Sequence, residues 1–119
     1  MWAGVIFAGS SIHGNDLPNL EILGTDKLIH LSVFYCFGLL VYMAMEPKTK
    51  INSFPSGRIL LMIAITVLYG ILDEVHQGFV PGRTVDSWDV AADALGGMLA
   101  AVSIMMRLRR RAKSRNDPA

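Results

Sequence analysis

Three long apolar segments, each with its ionisable residues gathered at one end, limit most strongly what this chain can fold into. Residues 28–45 contain no formal charge apart from a protonatable histidine, and residues 59–72 and 94–106 contain none at all. A transmembrane helix needs about 20 apolar residues, and the two later segments reach that length only by including neighbouring carboxylates. A soluble helix would carry a polar side along its whole length. We therefore predict an all-α, multi-pass transmembrane helix bundle rather than the buried helical bundle of a soluble protein.

Four helices are predicted in all. The first eleven residues are apolar, but they are too short to span a membrane and lack the positive region of a signal peptide. We expect a short N-terminal helix there. Pro and Gly residues mark the connections between the helices. The spanning helices are predicted at residues 25–45, 58–79 and 86–106, and the connections at residues 14–24, 46–57 and 78–85.

Charge is distributed unevenly along the chain. Hydrophobic residues make up 52% of it and the mean hydropathy is +0.41, as expected for a bilayer environment. Six of the eleven basic residues lie in residues 107–119, whereas the rest of the chain is acidic. This separation argues against a nucleic-acid-binding surface. We divide the chain into a transmembrane domain, residues 1–106, and a basic tail, residues 107–119.

The basic residues also predict an orientation in the membrane. Short segments rich in Lys and Arg stay in the cytoplasm, so the tail is predicted to lie inside. Counting spans back from the tail places Lys48, Lys50 and Arg58 inside as well, in agreement with the same rule. The first and third connections then lie outside the cytoplasm, together with the polar ends of all the helices.

Three acids form a stripe at the start of the last predicted helix. Asp86, Asp89 and Asp93 are spaced at i, i+3 and i+7, which keeps them within an arc of roughly 60°. Acids near a helix N-terminus stabilise its dipole, and this explains the first two. Asp93 lies about 10 Å deeper along the axis, where an unpaired carboxylate is costly. We therefore expect Asp93 to be paired or neutral.

Two further polar groups are predicted at the same ends of the other helices. Asp73, His76 and Gln77 share one face of their helix, with Glu74 roughly 100° away. At the start of the preceding helix, Asp26 stands four residues before His30, and Lys27 adds a cation. Asp26 and Lys27 also fit ordinary helix-end residues, and His30 also fits a hydrogen-bonded interior histidine.

Arg83 lies in the third connection, where Gly82 permits a tight turn and Pro81 stiffens the chain. Two roles are open to it. It can form a structural ion pair with Asp86 or Asp89, or it can receive a phosphate or carboxylate of a lipid-linked ligand.

The predicted site is strongly acidic, since six carboxylates face only two permanent cations, Lys27 and Arg83. Crowded carboxylates repel one another, and protonated carboxyls, protonated histidines or a bound cation would relieve the repulsion. A divalent metal such as Mg²⁺, Mn²⁺, Ca²⁺ or Zn²⁺ suits such groups, although the spacing matches no diagnostic metal motif. Cys36 is the only cysteine, which excludes an intrachain disulfide and a cysteine zinc site, and we expect it to be buried.

These residues fall into motifs that resemble the VanZ-like family of bacterial membrane proteins. The chain has Asp-Lys-x-x-His at residues 26–30, Asp-Glu-x-x-Gln followed by Pro-Gly-Arg at residues 73–83, and Asp-x-x-Asp-x-x-x-Asp-x-x-Gly at residues 86–96. The likeness extends over residues 9–101, and Ser10 and Ser11 resemble the end of the family's first membrane helix. It implies a multi-pass protein of the bacterial cytoplasmic membrane and a link to low-level resistance to the glycopeptide teicoplanin. It implies a shared site but no reaction.

Our leading functional hypothesis is a protein that binds or acts on a lipid-linked or cell-envelope molecule at the outer face of the membrane. In an enzyme, His30 or His76 would be the general base, Glu74 or Asp89 would position it or hold a metal, and Arg83 would bind an anionic group. The alternatives are a non-enzymatic transporter or binding protein whose buried acids relay protons, and a purely structural bundle. The sequence leaves the substrate, the reaction and the oligomeric state open.

Overall fold

The computed structural model describes residues 1–16, 24–45 and 55–116, and it contains four α-helices. They are α1 (Trp2–Ser10), α2 (Thr25–Ala44), α3 (Pro55–Gln77) and α4 (Ser87–Asn116), with a 3₁₀ turn at Gly14–Asp16. Three helices are long and apolar enough to cross a membrane, over Thr25–Ala44, Pro55–Gln77 and Ser87–Arg115. The predicted all-α bundle with one short N-terminal helix is confirmed. Lys48 and Lys50 lie outside the described residues.

Two helix ends differ from the predicted ones because turns and a capping side chain form there. α3 ends at Gln77 because the next amides turn back, with the Phe79 N–H donating to the His76 carbonyl. α4 begins one residue after Asp86, whose carboxylate accepts the Trp88 N–H at 2.9 Å. Asp86 therefore caps α4 rather than lying in its first turn. α4 also continues through most of the basic tail, since Arg and Lys are good helix formers.

Small residues bring the spanning helices into close contact. A side chain at Gly96 would meet the α2 backbone at Leu31 and Tyr35, and one at Gly97 would meet Thr66 of α3. The α2 and α4 backbones therefore approach closely at Gly96, as small-residue spacing in membrane helices permits. Below this contact lies an apolar core built around Met62, Ala100, Ala101 and Ile104.

The outer surface of the bundle is apolar, as a lipid-facing surface must be. Leu60 and Leu68 of α3 and Val102 of α4 all expose large parts of their side chains. Cys36 in the middle of α2 is exposed as well, so the expectation that it is buried was wrong. Its neighbours Phe34 and Phe37 turn inward instead.

The short helix α1 packs beside the halves of α2 and α3 that carry their polar ends. The Trp2 indole donates to the Val33 carbonyl at 3.2 Å, and the Tyr69 hydroxyl donates to the Ala3 carbonyl at 2.7 Å. These bonds fix the start of α1 deep along the other two helices. The end of α1 therefore lies at the polar end of the bundle.

Candidate functional site

Lys27, in the first turn of α2, is the centre of an ion-pair network with three carboxylates. Its ammonium nitrogen lies 3.0 Å from Asp26 Oδ2, 2.7 Å from Asp86 Oδ2 and 2.9 Å from Asp89 Oδ1. A lysine ammonium has three N–H donors, so each carboxylate receives one. The hydrogen bond from Lys27 holds the pKa of Asp86 below its ordinary value. Of the two roles open to Arg83, the ion pair with Asp86 or Asp89 is not found within the described residues, where Lys27 binds both acids.

His30 lies one turn farther along α2 and joins the same network. Its Nδ1 is 3.0 Å from Asp93 Oδ1, and its Nε2 is 3.8 Å from Asp89 Oδ2. Asp93 is only 1% exposed and is packed against Gly70 of α3, where a side chain would collide with it. The other Asp93 oxygen, Oδ2, has no hydrogen-bond partner among the described residues. We call these residues the ionic cluster: Asp26, Lys27, His30, Asp86, Asp89 and Asp93.

A second polar chain connects α1, α3 and the following loop, and it contains no lysine or histidine. Ser10 Oγ donates to Asp73 Oδ1 at 2.5 Å, and Gln77 Nε2 donates to Asp73 Oδ2 at 2.9 Å. The Gln77 carbonyl oxygen then accepts a hydrogen bond from Arg83 Nη2 at 2.6 Å. We call this chain the serine–amide relay. Arg83 takes no part in the ion pairs found within the described segments.

His76 and Glu74 point away from this relay in two different directions. His76 Nε2 lies 3.0 Å from Ser11 Oγ, and its ring stacks on Phe7 with centroids 4.6 Å apart. Glu74 is buried, and its Oε1 accepts the backbone N–H of Asp86. The predicted face of Asp73, His76 and Gln77 is thus shared between two sets of contacts, since only Asp73 and Gln77 join the relay.

Two serines at the end of α1, Ser10 and the adjoining Ser11, were not among the predicted site residues. Ser10 is buried and bonds Asp73, while Ser11 contacts His76. The sequence does show that these two hydroxyl residues end an apolar helix. No spacing rule, however, pairs them with Asp73 and His76, which are more than sixty positions away. Only the packing of α1 on α3 reveals them.

The third connection is held in place by the segment that follows α1. The Gly14 N–H donates to the Pro81 carbonyl at 3.2 Å. Gly82 adopts a left-handed φ of 78° and packs closely against Gly14 and Asn15. Both the backbone conformation and the lack of space therefore disfavour a side chain at this position. This contact fixes the loop that carries Arg83.

Between α1 and α2 lies an open groove of about 360 Å³, which is apolar along its walls and polar at one end. This volume falls at the small end of the range for small-molecule sites, roughly 300–1,000 Å³. His30 faces the groove, whereas His76 does not line it. The apolar walls include Trp2, Val5, Ile6, Ile29, Val33 and Phe34, and the polar end includes Ser10, Asp26, His30, Asp73, Gln77 and Arg83.

Carboxylate crowding at this end of the bundle is relieved chiefly by Lys27. In the parts of the chain that the structure describes, no three His, Cys, Asp or Glu side chains converge in a way that could hold a metal ion. Lys27 instead places one positive charge among three acids, and the serine–amide relay satisfies Asp73 with neutral donors.

Comparison of the sequence with models of protein families gives a match. The model of the VanZ/LLP1 family matches residues 2–108. The chain belongs to the VanZ/LLP1 family. No curated protein and no solved structure matches it.

The VanZ/LLP1 match extends beyond the likeness expected from residues 9–101, and it includes all of α1. In this member of the family, the motif residues separate into two structural units. Lys27, His30, Asp86, Asp89 and Asp93 bind one another across α2 and α4. The residues Asp73, Gln77 and Arg83 form the relay beside the groove.

Proposed function

We propose that this VanZ/LLP1 protein binds or acts on an amphipathic, lipid-linked or cell-envelope molecule. The groove carries the proposal, because it combines apolar walls with a polar end on a protein whose surroundings are lipid. An acyl or isoprenoid chain fits the walls, and a polar headgroup fits the end that contains His30, Asp73 and Arg83.

Two glycines of α1 allow a direct test of the groove. Side chains added at Gly4 or Gly9 would meet no other atom within 4 Å, but only Gly9 lines the groove. We expect Gly9→Phe to fill the groove and to lower the lipid that co-purifies in mild detergent, measured by mass spectrometry. Gly4→Phe is the matched control and should retain it. Equal lipid content in the parent and both variants would refute the proposal.

We further propose that the site faces outside the cytoplasm and that the end of α4 lies inside. The support is the excess of Arg and Lys after Met106. In a Cys36→Ala background, Thr84→Cys should react with a membrane-impermeant thiol reagent on intact cells. Ala112→Cys should react only after permeabilisation. Both positions are exposed, so the reverse pattern would invert the orientation.

In an enzymatic form of this function, His30 is the better general base, because it lines the groove and His76 does not. Asp93 would orient its ring through Nδ1, and the other ring nitrogen would take a proton from the ligand or from water. His30→Gln should then abolish turnover while lipid still co-purifies. Loss of turnover in His76→Gln, with His30→Gln fully active, would assign the base to His76.

A divalent cation is a separate proposal that follows from the acidity of the sequence, and it would need ligands beyond the described side chains, since no three of these converge on one point. A bound ion stabilises the folded state by mass action, so millimolar concentrations of the correct ion should raise the melting temperature in detergent. Asp89→Asn should reduce that rise. Unchanged melting of the parent with Mg²⁺, Mn²⁺, Ca²⁺ and Zn²⁺ would eliminate the metal.

A link to teicoplanin follows from the family resemblance and suits a protein acting on cell-envelope molecules. Expression of the chain should raise the teicoplanin concentration needed to inhibit a susceptible bacterium. The Gly9→Phe variant should lose this protection and Gly4→Phe should keep it. Protection that survives Gly9→Phe would separate resistance from the groove.

A second candidate, a proton-linked transporter, is favoured by one observation. Asp93 is buried within a spanning helix, bonds His30, and keeps one oxygen without a described partner. Intramembrane acids of this kind carry protons in transporters. In liposomes, a transporter would move protons into the liposome lumen in exchange for solute. The Asp93→Asn variant would not acidify the lumen. Proton movement equal to that of empty liposomes would exclude this candidate.

A further inference from the structure

The two cations at the polar end of the bundle differ in their capacity to bind an anion. Lys27 gives each of its three donors to a carboxylate, and it does not line the groove. Arg83 lines the groove, and its described hydrogen bond goes to the neutral amide of Gln77. A guanidinium has five N–H donors, so several of them have no partner among the residues that the structure describes.

The serine–amide relay explains how Arg83 is held in position. Ser10, Asp73 and Gln77 are all nearly fully buried, and a buried polar chain is costly unless each member is satisfied. Asp73 accepts from Ser10 and from the Gln77 amide nitrogen, which turns the Gln77 oxygen towards Arg83. The guanidinium is therefore oriented before any ligand binds.

The amide of Gln77 also has an electrostatic consequence. A direct bond between Arg83 and Asp73 would neutralise the guanidinium, as Asp26, Asp86 and Asp89 neutralise Lys27. Because Gln77 stands between them, Arg83 is anchored to a carboxylate without pairing with it. Its positive charge is left for a partner that enters from the groove.

We propose that Arg83 binds the phosphate of a membrane lipid, with one hydrocarbon chain of that lipid lying in the groove. This proposal rests on the proposed function and names its ligand class. The planar fork of arginine matches two phosphate oxygens. Arg83 lies in the loop between two spanning helices, which is the level of lipid headgroups.

The length and charge of the groove fit this occupant. Its wall on α2 runs from Asp26 to Phe34, about 12 Å along the helix axis, which accommodates the upper part of a hydrocarbon chain. Asp26 and Asp73 also line the groove and would repel additional negative charge. A phosphodiester with a single charge therefore suits the site better than a phosphate monoester.

Trp2, which lines the groove, provides a probe for the test. In the full chain carrying Trp88→Phe, brominated phosphatidylglycerol added in detergent should quench Trp2 fluorescence saturably. Brominated diacylglycerol has the same chains without the phosphate and should bind at least about tenfold more weakly, the loss expected for a charge-assisted contact. Arg83→Gln should weaken phosphatidylglycerol binding similarly and leave diacylglycerol unchanged. Arg110→Gln, in the exposed part of α4, should change neither.

The outcomes separate this inference from the proposed function. If both lipids quench Trp2 equally and Arg83→Gln has no effect, the groove binds lipid but the phosphate assignment is wrong. If neither lipid quenches Trp2, the proposed function itself fails. Displacement of the lipid by equimolar inorganic phosphate would make free phosphate the ligand. If Arg83→Gln does not fold, Arg83→Lys keeps the charge and loses the fork, and parental affinity in that variant would overturn the proposal.

Discussion

The α2–α4 and α1–α3 interfaces meet at the same polar end of the bundle, but they bury their carboxylates in different ways. Across α2 and α4, Lys27 and His30 bind acids directly, and the backbones touch at Gly96. Across α1 and α3, Asp73 is satisfied by a hydroxyl and an amide, and α1 leaves an open groove beside Gly9 on the side that faces α2. The first arrangement uses its cation to hold helices together. The second leaves Arg83 outside the described ion pairs.

The largest effect should come from glycine substitutions that exploit this difference in space. Gly96→Leu places a side chain against the α2 backbone. A backbone cannot rotate away as a side chain can, so this substitution should destabilise the protein by about 3 kcal/mol. Gly9→Leu enters open space and should leave stability unchanged. Unfolding in mixed micelles with increasing SDS measures both. Similar losses in the two variants would mean that the interfaces are equally tight.

The next largest effect concerns the deepest acid. Asp93→Asn removes a buried charge-assisted bond to His30 and should cost about 2 kcal/mol, with a loss of any groove-dependent activity. Asp16→Asn makes the same chemical change at an exposed position and should have no effect. Equal tolerance at positions 93 and 16 would show that the deep carboxylate is dispensable.

The two cations should differ in the same assay. Lys27→Met leaves Asp26, Asp86 and Asp89 facing one another without their shared cation, and should cost about 1–2 kcal/mol, reduced because the lysine is 34% exposed. Arg83→Gln breaks one bond to a neutral amide and should cost under about 0.5 kcal/mol. A larger loss for Arg83→Gln would reassign Arg83 to a structural role.

The smallest effect is a pH dependence at the edge of the ionic cluster. The hydrogen bond from Lys27 lowers the pKa of Asp86, so its stabilising contribution is present above its unfolded pKa of about 3.9 and is lost as pH falls through the lower folded value. Asp86→Asn should therefore reduce the melting temperature equally from pH 5 to pH 8. Below about pH 4 the difference should shrink. A difference that grows in acid would contradict this pairing.

Most of the fold could be predicted from the sequence, because long apolar segments in a bilayer leave few alternatives to helices. The acids of the last helix could also be grouped, since their spacing puts Asp89 and Asp93 on one face of α4. The side chains that bind those acids could not be predicted from the sequence. The sequence offered Arg83 as a partner for Asp86 or Asp89, whereas Lys27 binds both, and this depends on how α2 is set against α4.

The role of α1 was the hardest part to predict. Its sequence shows only a short apolar segment ending in Ser10 and Ser11. Its contacts with Val33, Asp73 and His76 depend on packing over long sequence separations. The groove exists only because this helix lies against α2, so no local pattern could have indicated it.

The length of α4 has a consequence for how the whole bundle sits in the bilayer. Its 30 residues extend about 45 Å, beyond the roughly 30 Å of hydrocarbon that a membrane presents. The basic residues after Met106 occur on every side of this protruding helix, so they form a collar rather than a stripe. Under the proposed topology, moving α4 towards the groove end of the bundle would drag the collar into hydrocarbon, at about 3 kcal/mol for each cation that reached the centre. The collar would thus limit how far α4 can move across the membrane, and it would keep the start of α4, about 30 Å away along the helix axis, near the opposite layer of lipid headgroups.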